Sequence, residues 1–442
     1  MNWRLTMIEI EKVKEISALF NPQMIEFCQR LIRTPSLPGE EEAVSELFLE
    51  EMKLLGYDEV FRDRWGNITG VIRGTEPGPA IMYNGHLDHV DPGDRLEWGG
   101  YDPYGAEIDE CPVFDQNLTL EEIVPVIHGR GSADLKGGAA AQVYAGGILV
   151  QLRKEGCPIR GTFIISMVSM EENGEMLGML KLLDETFAEK GIHIDGMVNC
   201  EPSSLKIMLG HRGRVELKVT VFGSSCHGSS PWLGVNAVTK AAKLILEIEK
   251  AVWSNGHEDK DLGRSGIALT IIECEPAALC IVPDKCHITY DRRLVPGETV
   301  EGAIAEIQHI IDRLSEEDEE FKAAVKVNSA ERRAYTGAAA AIESQKEVWK
   351  IEAEHPFVQA CAKGLEDAGQ IPQFGYWSFS TDIPAVGARM KKPVIGYSGM
   401  QEFYIHRPIE KVRIDYLEKS LVGNVSMFLR LVQLPKEVFQ CE

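Results

Sequence analysis

Apolar residues recur every three to four positions at Met24, Phe27, Cys28 and Leu31, and again at Val44, Leu47, Phe48, Met52 and Leu55. That spacing keeps one stripe of a helix apolar and predicts two amphipathic helices. Extended runs follow near residues 68–73 and 80–86. A helix rich in small residues is predicted over 139–152, a strand over 162–168, a helix over 177–190, and a short apolar run at 196–200. Strands alternating with helices predict an α/β architecture, a mostly parallel sheet flanked by helices. Functional residues of such sheets sit beyond the carboxyl ends of the strands.

The texture changes at Gly210-His211-Arg212-Gly213. Val215, Leu217, Val219 and Val221 alternate with polar residues, the period of a half-buried strand. A helix over 236–251, strands over 267–272 and 286–294, and a helix over 300–314 follow, before an acidic stretch at 315–320. This β-α-β-β-α pattern reads as an inserted α+β domain of ferredoxin-like type at 212–335, inside a discontinuous domain of 1–211 and 336–442. Helices near 355–369 and 412–431 complete the latter. The alanine tract at 338–341 reads as helix or loop, and no internal repeat is visible.

A chain of 442 residues fits two domains, and 44% apolar with 26% charged residues is the composition of an ordinary globular protein. The net charge of −22 opposes nucleic acid and anionic membrane surfaces, which leaves a small molecule or peptide as the expected partner. No apolar run is long enough for a membrane span, and the N-terminus, with Glu9, Glu11 and Lys12, lacks the apolar core of a signal peptide. Cytoplasm is the expected compartment. Ten scattered cysteines without a C-x-x-C pair read as reduced thiols.

Chemistry begins at Tyr83-Asn84-Gly85-His86-Leu87-Asp88-His89-Val90, after an apolar run. An imidazole and a carboxylate two positions apart at a strand end share one face, so His86 is a candidate metal ligand and Asp88 the group that orients its ring. His89 points the other way and is excluded. Asp134, within Gly129-Arg130-Gly131-Ser132-Ala133-Asp134-Leu135-Lys136-Gly137-Gly138, fits a helix N-cap, and its two oxygens equally fit a bridge between two ions about 3.5–4 Å apart. Glu171 and Glu172 leave another apolar strand, where both carboxylates can reach one cleft or remain a solvated loop pair. Glu201, before Pro202, and His406 complete a nitrogen and oxygen donor set without thiolate. Such a set suits a pair of Zn²⁺ ions, or Co²⁺ or Mn²⁺, with a bridging hydroxide as nucleophile. Glu171, adjacent to a ligand, is placed to act as general base.

Gly-His-x-Asp, Gly-Arg-Gly-Ser-x-Asp-x-Lys-Gly-Gly and Glu-Glu-x-Gly in this order resemble the M20 metallopeptidase and amidohydrolase family. Its members include aminoacylases, acetylornithine deacetylases, succinyl-diaminopimelate desuccinylases and glutamate-releasing carboxypeptidases, and the resemblance covers nearly the whole chain. It implies that His86, Glu172, Glu201 and His406 bind the metals, Asp134 bridges them, Asp88 orients His86 and Glu171 is the base. It also implies that the inserted domain is a lid and dimerisation domain. His227, in Cys226-His227-Gly228-Ser229-Ser230-Pro231, would then reach the partner subunit's site in a homodimer and hold an oxyanion. Asp291-Arg292-Arg293 resembles the family's Asp-x-Arg strand, in which Arg293 holds the substrate carboxylate; a cross-strand salt bridge fits Arg293 as well.

Three features depart from the family pattern. Cys280 stands where many members carry asparagine, Ile409 precedes Glu410 in place of Asn or Asp, and the stretch 91–129, with Trp98, Tyr101, Tyr104 and Phe114, is longer than an ordinary connection. The expected activity is hydrolysis of the amide bond of an N-acyl amino acid or short peptide by a dinuclear zinc enzyme. An N-carbamoyl or ureido hydrolase is the alternative, disfavoured because such members carry histidine where this chain has Glu201. A catalytically silent metal-binding dimer on the same scaffold is the non-enzymatic alternative.

Overall fold

The computed structural model describes residues 7–440. Two helices open it, α1 (Met7–Ile32) and α2 (Glu42–Leu55), and their predicted stripes face inward, with Phe27, Leu31, Phe48 and Met52 buried. Gly56 ends α2 by taking a left-handed conformation (φ 85°), which directs its N–H to the Lys53 carbonyl at 3.1 Å.

Next come β1 (Glu59–Arg62), β2 (Ile68–Arg73), β3 (Glu76–His86), β4 (Ile108–Phe114), β5 (Leu120–His128), α3 (Gly137–Lys154), β6 (Arg160–Val168), β7 (Gly196–Asn199) and β8 (Ile207–His211). A second group comprises β9 (Gly213–Phe222), α4 (Ala237–Asn255), β10 (Gly266–Glu275), β11 (Lys285–Leu294), α5 (Val300–Glu317) and β12 (Lys322–Val327). The chain then forms β13 (Ser329–Arg333), β14 (Ala339–Glu343), β15 (Gln345–Lys346), β16 (Trp349–Lys350), α6 (Pro356–Asp367), β17 (Phe374–Trp377), β18 (Val394–Gly396), β19 (Lys411–Arg413) and α7 (Ile414–Leu431).

The first sheet has nine strands in the order β1-β2-β6-β3-β7-β18-β8-β16, with β17 also on β8. Its centre, β6-β3-β7-β18, is parallel, and β1 and β2 extend it antiparallel. Burial on both faces explains the near-continuous apolar runs of β3 and β6, and one hydrophobic core joins them to α1, α2, α3, α6 and α7. The α/β class expected from the alternation of elements is the one observed.

The second sheet, β10-β11-β9-β12, is antiparallel and carries its own core with α4 and α5. Val215, Leu217, Val219 and Val221 of β9 point into that core, as their alternation predicts. β12 adds a strand to the predicted block, making it β-α-β-β-α-β. The acidic stretch hid it, because the first part of that stretch prolongs α5 and the strand itself offers few large apolar residues.

Apart from Ala338, the alanine tract is neither helix nor loop. Ala339–Glu343 is β14, paired antiparallel with β13 around Gly337 (φ 88°), so cross-strand pairing outweighs alanine's helix preference. This hairpin packs on Trp65 and Leu177 beside the first sheet. The stretch 91–129 folds into β4 and β5, which form a small sheet with β19; Trp98 is buried and Tyr101 stacks on His128 at 3.8 Å between ring centroids.

Only Arg212 separates β8 in the first sheet from β9 in the second, and residues 347–348 make the return crossing between β15 and β16. A Cβ at Gly213 would lie 2.7 Å from the Val348 nitrogen, so glycine lets the two crossings run side by side. No helix among the described residues is long and apolar enough to cross a membrane. Cysteines of the described residues are free thiols, and Cys441 lies outside those residues.

Candidate metal centre

Three parallel strands end together. The register pairs His86 with Val168 and Asn84 with Asn199, so β3, β6 and β7 deliver His86, the Glu171-Glu172 pair and Glu201 to one edge of the sheet. The Asp88 carboxylate accepts the main-chain N–H groups of Glu171 at 3.1 Å and Glu172 at 2.9 Å, which fixes the turn Glu171–Gly174 that carries both. Buried Glu41 accepts the N–H of Met170 at 3.0 Å from the other side.

Asp134 sits before α3 in a buried loop and is not the helix N-cap. Its backbone is extended (φ −141°, ψ 92°), the peptide bond after it is cis, and α3 begins at Gly137 with no side-chain cap. Instead Glu410 holds the loop, accepting the N–H of Ala133 at 2.8 Å and of Asp134 at 3.0 Å while paired with Arg130. The small sheet makes this possible: β5 runs into the Asp134 loop, β19 starts just after Glu410, and His128 pairs with Lys411. The stretch 91–129 therefore ties the His406–Glu410 segment to the Asp134 loop. None of its residues lines the central cavity described below.

Each Asp134 oxygen faces one histidine. Oδ1 lies 3.1 Å from His86 Nε2, and Oδ2 lies 3.2 Å from His406 Nε2. Glu201 stands 3.8 Å from His86 Nε2, and Glu172 stands 3.2 Å from His406 Nε2. The His86 Nδ1–H donates to the main-chain carbonyl of Asp88 at 2.9 Å, whereas the Asp88 carboxylate is 3.6 Å away. The ring is thus oriented by Asp88 through its backbone oxygen, and the carboxylate serves the Glu171–Gly174 turn. His89 is turned aside, its Nε2 accepting the Ser36 N–H at 2.9 Å; burial pushes its pKa down to about 3 and keeps it neutral.

Carboxylates crowd here faster than cations. Burial, then the charge of Asp134, pushes Glu172 up to about 7 and Glu201 well above its ordinary range. Hydrogen bonds to Asp134 and Glu172 push His406 up to about 11. Burial would raise Asp134, but its bonds to His406 and His86 hold it below the usual carboxylate range. Divalent cations would relieve this crowding, and the donors are the nitrogen and oxygen types that zinc, cobalt or manganese accept.

Two triads, His86-Asp134-Glu172 and His86-Glu171-Glu201, have donor atoms within 4.8 Å of one another. Glu171 fits a cation less well than its neighbours do, because the buried Lys346 ammonium already holds its Oε1 at 2.7 Å.

A cavity of about 240 Å³ opens over these groups and is also lined by Arg214, Arg293, Lys346 and the apolar Phe379 and Ile405. Arg293 binds Asp291 in its own strand, through Nε at 2.6 Å and Nη2 at 3.1 Å; the cross-strand bond to Asp291 comes from Arg214 at 2.9 Å. His227 is on an exposed loop, with Nδ1 2.8 Å from the Ser229 hydroxyl, and does not line the cavity of its own chain. Sequence reasoning did not single out Lys346, Arg214, Asp382 or Glu41. Only Asp382 carries a signal, a carboxylate directly before the apolar run Ile383-Pro384-Ala385-Val386, and it is buried.

Residues 209–319 match the peptidase dimerisation domain of the M20 family. The uncharacterized protein YgeY of Escherichia coli strain K12 is 32% identical over 411 residues, covering 92% of this chain and 93% of that protein. The succinyl-diaminopimelate desuccinylase of Alkalilimnicola ehrlichii is 25% identical over 297 residues, 66% of this chain and 73% of that one. Among solved structures, the Bacillus subtilis YXEP protein, a dinuclear metal-binding peptidase, is 12% identical with a TM-score of 0.64, covering 94% of this chain and 99% of its own. Identity sustained over nearly the full length, the dimerisation match and the shared fold establish that this chain belongs to the M20 family of metal-dependent peptidases and hydrolases.

Proposed function

We propose that the protein is a homodimeric, cytoplasmic hydrolase that uses two Zn²⁺ ions, with Co²⁺ or Mn²⁺ as substitutes, to cleave the amide bond of an N-acyl amino acid or short peptide. The observation that carries this reading is Asp134 with one oxygen toward His86 at 3.1 Å and the other toward His406 at 3.2 Å. In this reading His86 and Glu201 would hold one ion and Glu172 and His406 the other, with Asp134 shared between them. Bound there, divalent cations supply Lewis acidity toward a carbonyl oxygen and make water more acidic.

The chain's own groups do the rest. Glu171 takes a proton from the attacking water and returns it to the departing amine. Phe379 and Ile405 offer apolar surface to an acyl group or side chain. Arg293 keeps Nη1 for a substrate carboxylate, since Asp291 occupies its Nε and Nη2. His227 of the partner subunit would complete the site by donating to the oxyanion. The separate cores of the two sheets support a division into a metal-binding domain of 1–211 with 336–442 and a lid of 212–335, although β15 at 345–346 lies past that boundary and pairs with β9 of the lid.

The test is metal analysis of the purified protein together with mass spectrometry after incubation with N-acyl amino acids, dipeptides and N-carbamoyl amino acids. Two ions per chain and release of a free amino acid from acyl or peptide substrates are expected. Two ions with no amide cleavage, or preferential cleavage of the carbamoyl compounds, would displace this reading.

A further inference from the structure

The turn Glu171–Gly174 belongs to the first sheet by its origin at the end of β6, yet it is gripped from the second. Lys346 of β15 donates to Glu171 at 2.7 Å, and Arg214 of β9 donates to Glu175, just beyond the turn, at 2.8 Å. These two cations are register partners on adjacent strands, Lys346 opposite Arg214. Each lies within two residues of a crossing between the sheets, the first at Arg212 and the second at 347–348. Two neighbouring positions of one sheet thus hold both ends of a segment supplied by the other.

The Lys346–Glu171 pair is built for geometry. Both side chains are buried, at 8% and 10% exposure, where an unpaired charge would be costly. The charge of Asp382, fully buried and with neither carboxylate oxygen hydrogen-bonded among the described residues, acts on Lys346 as well. The Lys346 ammonium therefore lies in the field of two carboxylates but donates to only one. Arg214 is further fixed by Asp291 at 2.9 Å and by Glu216.

We propose that Lys346 is a positioning residue that, with Arg214, couples the posture of the second sheet to the Glu171 carboxylate, so that Glu171 is aimed into the cavity only while the two sheets hold their present relation. The inference rests on the reading of Glu171 as the base. It adds a physical route by which movement of the inserted sheet would switch the site.

The experiment compares wild type, Lys346→Met, Lys346→Arg and Arg214→Gln in the full-length, metal-loaded protein. Amide exchange across residues 170–176 is followed by mass spectrometry without substrate, and kcat and KM are measured on the acyl amino acid or dipeptide that wild type cleaves best. Lys346→Met is expected to keep its metal content, to exchange faster in 170–176, and to lose about ten- to a hundredfold in kcat with KM within about threefold. Lys346→Arg should recover part of both, and Arg214→Gln should speed exchange at the Glu175 end.

Unchanged exchange in Lys346→Met, or kcat within about twofold of wild type, would overturn the proposal. Should Lys346→Met not fold, Lys346→Gln takes its place under the same criteria. Because exchange is read without substrate, a protein inactive on every compound still decides the coupling, whereas an active Glu171→Gln would remove only the base assignment.

Discussion

Glu410 accepts the main-chain N–H of Asp134 at 3.0 Å and thereby sets the carboxylate whose two oxygens face the two histidines of the cluster at 3.1 and 3.2 Å. The contact joins two loops 276 residues apart, one leaving β5 and one entering β19. Glu410 also accepts the N–H of Ala133 and pairs with buried Arg130, so three donors converge on one side chain.

Removing that side chain should therefore weaken the metal site without touching a ligand. Glu410→Ala is expected to lower metal affinity about ten- to a hundredfold, as loss of groups that support ligands commonly does. It should also destabilise the fold by about 3–5 kcal/mol, because Arg130 is left buried without its partner. Competition with a chromogenic chelator and denaturant unfolding measure the two effects; metal affinity equal to wild type would show that the Asp134 loop holds its shape alone.

Glu171→Gln preserves size and can still meet Lys346 through its amide oxygen, but it cannot accept a proton. Turnover should fall at least about a hundredfold while both ions stay bound. Elemental analysis and initial rates on the same preparation check this, and retained turnover would take Glu171 out of the role of base.

His227 does not line the cavity of its own chain, so under the proposed function its contribution would come across a dimer. His227→Ala should cost about a hundredfold or more in kcat. Mixed after reversible dissociation, His227→Ala and Glu171→Gln chains should regain activity, since a heterodimer holds one site with both an intact Glu171 and an intact partner His227. Absence of complementation in verified heterodimers would place His227 outside catalysis.

His211, buried at the end of β8, donates from Nδ1 to the Arg212 carbonyl at 2.9 Å, and burial, with the positive charge of Lys346 adding to it, pushes its pKa from 6.5 down to about 4. A depressed folded-state value means that below pH 6.5 the unfolded chain binds a proton that the native chain refuses. The associated stability is fully present above pH 6.5 and is lost as pH falls toward about 4, a change of about 3 kcal/mol. His211→Asn, which keeps a donor for the Arg212 carbonyl, should flatten the melting-temperature profile between these limits. An unaltered slope would assign the acid sensitivity to other groups.

Much of this architecture was legible because burial imposes a period on each element. The stripes of α1 and α2, the apolar runs of β3 and β6 and the alternation in β9 each answer to one buried surface, and local pattern suffices to find them. The same reading missed β12 and misjudged the alanine tract, where short or weakly apolar strands owe their state to a partner strand. Local motifs mark His86, Asp134, Glu171, Glu172, Glu201 and His406 along the chain, and the fold brings all six together at one edge of the sheet.

Which donors exist, the order in which they occur and the apolar strands that present them follow from residue type and near-neighbour spacing alone. What holds those donors in place follows from contacts made in the folded chain. Lys346 reaches Glu171 from 175 residues away, Glu410 reaches Asp134 from 276, and Asp88 turns its carboxylate to the Glu171–Gly174 turn while its backbone carbonyl takes the His86 ring. Such contacts have no spacing rule. They arise where strand register, loop closure and the burial of charge must be satisfied together, and only the folded chain solves those conditions at once.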